Sequence, residues 1–264
     1  MKVSTCSPRP VMLPSRIDST GYQIDPYVGC EHYCYYCYAL KDAETQWDKE
    51  IAIHADIEGQ LRKELENLPP QRFYMGYFTD PYQPVEERML QTRKVLEILL
   101  EHGSSVGFLT KSNLFLRDLD LLSQMDDAQA SISVAFLDDS VRTALEHRTV
   151  PTSERIDALR AVKENGVHTS SLLCPIIPEI NDVFALLDML APVAETIWLY
   201  RLSIEDPEGV NWRNLRDILA RDFPDKLELI ESAVLSREHP YWEELRQEVT
   251  ALGDKQGLNL QIHI

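Results

Sequence analysis

Several things are scarce in this 264-residue sequence. It has only five cysteines, too few and too unevenly placed to staple a chain of this length, so a disulfide framework is a poor reading. No run of eighteen apolar residues occurs, and no transmembrane helix is expected. The opening MKVSTCSPRPVMLPS holds no apolar stretch of the kind that directs secretion. A cytoplasmic location with reduced thiols is therefore the expectation. Basic residues are the other shortage: 26 Lys and Arg face 43 Asp and Glu, for a formal charge of −17. Nucleic-acid binding draws most of its affinity from Lys and Arg on phosphates, so a polyanionic partner is disfavoured.

What remains is ordinary globular material, 44% hydrophobic and 26% charged, and long enough for a (β/α) barrel in one unit. The unusual stretch is Gly29 to Tyr38, which carries Cys30, Cys34 and Cys37 in the spacing C-x3-C-x2-C. Three thiolates on one loop can converge on one small object. A zinc site usually takes four protein ligands, and His32 is the nearest candidate for the fourth. An iron–sulfur cubane takes one thiolate per iron, so three cysteines leave one iron with an open position. Spacing alone leaves both readings standing, and a non-catalytic zinc-binding protein is the bland alternative.

Residues 1–20 are rich in Pro and Ser and read as an extended arm. A first strand is expected at 22–28, directly before the cysteines, with a short extended piece near 50–55 and a helix at 57–68. Strands then alternate with helices. Strands are expected at 72–78, 106–110, 131–137, 169–177 and 196–202, with helices at 85–102, 114–125, 153–165 and 181–190. More helix follows at 212–220 and 241–252, and a last strand at 258–262. Strand–helix units with short connections imply a parallel sheet with right-handed crossovers. About six units predict an α/β fold, a partial (β/α)6 TIM-like barrel spanning 21–203. Residues 204–264 form a C-terminal extension packed on it in a single domain.

In parallel barrels the functional residues gather at the C-terminal ends of strands. Thr79 and Asp80 end the second strand and offer acceptors suited to an ammonium group, though a strand-to-helix turn selects the same residue types. Lys111 ends the third strand and suits a carboxylate. Ser131 and Ser133 put hydroxyls on the fourth. Cys174 to Asp182 follow the fifth, where the backbone at Ile177 could lie against an adenine ring and Asn181 or Asp182 could cap the next helix. Arg201, on the sixth strand, could pair with a carboxylate.

The cysteine spacing, with Tyr36 before the last cysteine, resembles the C-x3-C-x-aromatic-C signature of the radical S-adenosylmethionine (SAM) superfamily. PYVGCEHYCYYCYA, YFTDPYQPVEERMLQTRKVLEIL, FLTKSNLFLRDLDLL, HRTVPTSERIDALRAVKENGV and CPIIPEIND, in that order, resemble its spore photoproduct lyase-like branch. The resemblance covers roughly residues 20–200. It implies a [4Fe-4S] cluster on Cys30, Cys34 and Cys37, with SAM on the fourth iron and SAM contacts near Tyr36, Thr79, Asp80, Lys111, Ser133 and Ile177. It also implies an electron from a ferredoxin- or flavodoxin-like donor and reductive cleavage of SAM to a 5′-deoxyadenosyl radical. Tyr36 and Tyr38 match tyrosines flanking the last cluster cysteine in the lyases. The lyases carry a hydrogen-donating cysteine where this chain has Tyr77. Tyr38 and Tyr77 are then the candidates for carrying a radical or a hydrogen, and DNA repair is the alternative function that this departure and the −17 charge weaken.

Overall fold

The computed structural model describes residues 1–17 and 20–264. Among them the strands are β1 (Lys2–Thr5), β2 (Met12–Pro14), β3 (Tyr22–Ile24), β4 (Tyr27–Val28), β5 (Glu50–Ile53), β6 (Arg72–Met75), β7 (Ser105–Thr110), β8 (Gln129–Ser133), β9 (His168–Ile176), β10 (Thr196–Arg201) and β11 (Leu260–His263). The main sheet runs β11-β10-β9-β8-β7-β6-β3-β2. Every neighbouring pair from β3 to β11 is parallel, and β2 closes the far edge antiparallel to β3. Strands β3 and β6 to β10 are the six of the expected partial barrel. The C-terminal extension adds β11 as a further parallel strand.

Among the described residues ten α-helices fill the connections. They are α1 (Ile57–Leu65), α2 (Glu86–Met89), α3 (Gln91–Glu101), α4 (Leu119–Leu122), α5 (Asp139–Leu145), α6 (Thr152–Glu164), α7 (Val183–Leu190), α8 (Val210–Asp222), α9 (Leu227–Val234) and α10 (Pro240–Gln256). Caps fix several ends: Asp56 accepts from Gly59 N to start α1, and Asp182, not Asn181, accepts from Ala185 N to start α7.

The sheet's two faces differ in chemistry. Phe73, Met75, Val106, Phe108, Ala130, Ile132, Ile197 and Leu199 are buried in the apolar core shared with the helices. Their alternating neighbours point to the other face, the barrel interior. At its base Arg72 reaches Asp127 at 3.2 Å and also Gln129, while Ser170 bonds Gln129 at 3.1 Å and Ser131 at 2.6 Å. Gly107 makes room for that plug, since a Cβ there would lie 2.7 Å from Arg72 Nη2.

Four expectations change. The strand expected at 22–28 splits at Asp25-Pro26, because Pro26 brings no N–H to the ladder, and β4 leaves the barrel to pair with β5 in a side sheet ordered β1-β5-β4. The N-terminal arm is extended, but β1 and β2 pair it to both sheets. The helix expected at 85–102 breaks at Leu90, whose φ is 56°. Buried Glu86 drives that break: its carboxylate accepts from Thr92 N at 2.9 Å and Arg93 N at 3.2 Å, capping α3 from the preceding turn. The helix expected at 114–125 is a 3₁₀ turn (Leu114–Asp118) running into the short α4.

Candidate functional site

The cysteine loop leaves β4 at the C-terminal mouth of the barrel. Gly29 turns it with φ +91°, where a Cβ would crowd Thr45 Oγ1 at 2.6 Å. Backbone turns from Tyr33 N to Cys30 O (3.2 Å) and Cys37 N to Cys34 O (3.1 Å) then wind the chain so that the cysteines face inward. Gln83 ties the loop to the end of β6. Its Nε2 donates to Gly29 O at 3.1 Å and Thr79 Oγ1 at 2.8 Å, and its Oε1 accepts from Glu31 N at 2.7 Å. Thr79 Oγ1 itself donates to Gly29 O at 2.5 Å.

All five cysteines are free thiols. Burial raises the pKa of Cys30, Cys34 and Cys37 above the ordinary thiol value. The Asp80 carboxylate adds to the rise at Cys30, and Glu146 adds to it at Cys34 while Lys111 opposes it. Three sheltered thiols lose their protons only to something that supplies positive charge, which suits an iron–sulfur cluster. Among the described residues no three His, Cys, Asp or Glu side chains converge as a single metal ion requires. His32 turns Nδ1 to Arg148 O at 2.9 Å, and its Nε2 lies 3.2 Å from Asp80 Oδ2 off the line of a good hydrogen bond, so oxygens occupy both sides of the ring.

Beside the thiols lies a buried ionic group. Lys111 Nζ donates to Ser133 Oγ at 2.5 Å, lies 3.2 Å from Glu146 Oε1 and sits 5.8 Å from the Tyr36 ring centroid. Arg155 binds Glu146 Oε2 at 2.7 Å and Ser133 O at 2.9 Å, and Tyr36 OH donates to Glu146 Oε1. Burial alone would lift the Glu146 carboxyl, but Arg155 and Lys111 overcome it and hold the pKa at about 2. The group therefore places charges of both signs beside the thiols, with Glu146 shared between Lys111 and Arg155.

Other expected site residues sit here in different roles. Asp80 has no acceptor to spare: Oδ1 takes Tyr82 N and Thr110 Oγ1, and Oδ2 takes Lys111 N and faces His32. Burial raises its pKa, but the His32 ring and these donors outweigh that and leave it lowered. Ile177 is fully buried; its N–H donates to Asn181 Oδ1 and its carbonyl accepts from Ile180 N and Asn181 N. Its backbone polar groups are thus spent within the turn. Tyr38 OH donates to Tyr77 O, and the rings of Tyr38, Tyr77 and Phe78 run edge to face at 5.7 and 4.8 Å. Gln83, Glu146 and Arg155 are the residues that sequence reasoning missed. Each lies in or next to a stretch already singled out, but nothing in their spacing marks them as buried.

Residues 24–188 match the family described as the Radical SAM superfamily. An uncharacterized protein of Methanocaldococcus jannaschii is 25% identical over 222 residues, covering 82% of this chain and 82% of its own length. A radical SAM Nα-GlyT isomerase of Pseudomonas phage M6 is 25% identical over 175 residues, 64% of this chain and 36% of its own length. A spore photoproduct lyase double mutant, solved with AdoMet and dinucleoside spore photoproduct, superposes with a TM-score of 0.66 at 16% identity over 98% of this chain and 80% of that one. At that identity the lyase shows a shared fold alone.

Proposed function

This chain belongs to the radical SAM superfamily, and from that membership we propose that Cys30, Cys34 and Cys37 hold a [4Fe-4S] cluster with S-adenosylmethionine on its open iron. That pair of cofactors supplies one-electron cleavage of SAM to methionine and a 5′-deoxyadenosyl radical, with a ferredoxin- or flavodoxin-like protein as the source of the electron. The chain's own residues bind and orient. Gln83 and Thr79 fix the cysteine loop on the barrel mouth. Asp80 locks the end of β7 to that loop through Lys111 N and His32, acting as a positioning residue rather than a SAM ligand. Lys111, held by Ser133 and Glu146, offers an ammonium group to the SAM carboxylate. Arg155 keeps Glu146 ionised, and Tyr36 closes the network above the last cysteine. Tyr38 and Tyr77 line the approach. Residues 21–203 form the catalytic core, and 204–264 extend it. Among the described residues no helix is long and apolar enough to cross a membrane.

The observation that carries this reading is three free thiols from one loop, Cys30 and Cys34 buried and Cys37 half-buried, set beside the ionic group of Lys111, Glu146 and Arg155. Anaerobic reconstitution should load about four irons per chain. Dithionite-reduced protein should then turn SAM into 5′-deoxyadenosine, and Cys34→Ala should abolish both iron loading and product. Zinc bound without iron, or a fully loaded protein that makes no 5′-deoxyadenosine, would refute it.

A further inference from the structure

The barrel interior holds aromatic rings that the core does not use. On β10, Trp198 and Tyr200 alternate with the buried Ile197 and Leu199, so they face inward. Tyr200 pairs across the ladder with His263 of β11. The three rings lie within 7° of one another in plane, with centroids 4.6 Å apart for Tyr200 and His263, 5.8 Å for Trp198 and His263, and 6.3 Å for Trp198 and Tyr200. Trp198 and Tyr200 are half-buried and His263 is exposed, and none of the three belongs to the apolar clusters that hold the fold together. Aromatic pairs inside this protein's core are tilted or edge-to-face, as at Tyr82, Phe108 and Phe115. A parallel set, with Tyr200 and His263 stacked ring on ring, is a different arrangement, and another flat π-system can extend it at the exposed His263.

The rings also connect to the cysteine mouth. Tyr200 lies within electrostatic reach of Cys174 at the end of β9 and of Tyr74 on β6. Cys174 O accepts from Ser133 Oγ at 3.1 Å, and the same Ser133 holds Lys111. In the sheet order β8-β9-β10-β11, Ser133, Cys174, Tyr200 and His263 therefore follow one another from the site to the rings.

We propose that Trp198, Tyr200 and His263 form a stacked aromatic platform that a planar aromatic or heteroaromatic ring of the substrate extends. The inference rests on the radical SAM reading above for the word substrate, but the binding itself does not require SAM cleavage. The test uses the cluster-reconstituted protein and two matched pairs of probes, uridine with 5,6-dihydrouridine and phenylalaninamide with cyclohexylalaninamide, followed by saturation-transfer NMR with and without SAM. The flat member of at least one pair should bind about tenfold more tightly than its saturated twin. Saturation should fall on its ring protons, and SAM should not displace it. Whichever pair shows the preference tells a nucleobase-like ring from an aromatic side chain. Tyr200→Leu should erase the preference with iron content unchanged. If that variant fails to load iron, His263→Leu at the exposed rim carries the test. Equal binding of the twins, binding of neither flat probe, or displacement by SAM overturns the proposal. A protein that prefers flat rings yet makes no 5′-deoxyadenosine refutes the radical SAM reading and leaves the platform standing. One that makes 5′-deoxyadenosine without ring preference refutes the platform alone.

Discussion

Replacing Glu146 by Gln keeps the shape of the side chain and removes its charge. Glu146 is fully buried between Arg155 at 2.7 Å and Lys111 at 3.2 Å, with Tyr36 OH on the same oxygen as Lys111. Its pKa falls from an ordinary 4.5 to about 2. At 1.36 kcal/mol per pH unit, the ionised form is favoured over the neutral one by about 3 kcal/mol. A glutamine resembles the neutral acid and leaves two buried cations without their counter-charge, a loss that falls in the range of about 3–5 kcal/mol for a broken buried pair. The expected cost is therefore about 3 kcal/mol, or roughly 6–12 °C in melting midpoint for a chain of this size. The pH dependence follows from the sign. A carboxyl whose pKa is lower in the folded state stabilises the protein fully above its unfolded value of 4.5, and that contribution fades as pH falls toward about 2. Denaturant melts of the wild type and Glu146→Gln between pH 4 and 8 should thus run parallel from pH 8 to about 5 and converge only below it. A cost under about 1 kcal/mol would refute the assignment of this carboxylate as the counter-charge for Lys111 and Arg155.

Gln83→Ala removes two hydrogen bonds to the cysteine loop and one to Thr79, each worth about 1 kcal/mol. It should speed loss of iron from the reconstituted protein, followed by the decay of charge-transfer absorbance; iron retention equal to wild type would show that Thr79 alone holds the loop. Gly76→Ala places a Cβ 2.5 Å from Leu109 O at a φ of +99°. It should cost at least about 2 kcal/mol in a chemical melt, and a cost below about 0.5 kcal/mol would mean that β6 and β7 part easily there.

Much of this arrangement was legible because it depends on local pattern. The three cysteines announce themselves by spacing, and six strand–helix units follow from alternating apolar runs bounded by turn residues. The rest depends on partners far apart in sequence. Nothing in residues 85–102 marks Leu90 as a break, because Leu is a good helix former; the break comes from Glu86, buried where Tyr27 OH and Arg117 both bind its carboxylate. Arg155 reads as an ordinary charge on an expected helix and Glu146 falls between expected elements, until α5 and α6 bring them together. Asp80 was legible in type but not in its contacts. An Asp after a strand can receive a ligand or satisfy a turn, and its donors at Thr110 and Lys111 come from another strand.

Charge shows the same division between what is summed and what is local. The sequence total of −17 sets the long-range field and disfavours a polyanion. It says nothing about the space beside Cys34, where Glu146 and Lys111 act on the thiol at short range and in opposite directions. Desolvation makes that local balance count for more than distant acids, since exposed charges are screened within about 8–10 Å while buried ones are not. Glu146 is shared among Lys111, Arg155 and Tyr36, so one carboxylate keeps both cations in place beside the cysteine loop, an arrangement that the summed charge could never reveal.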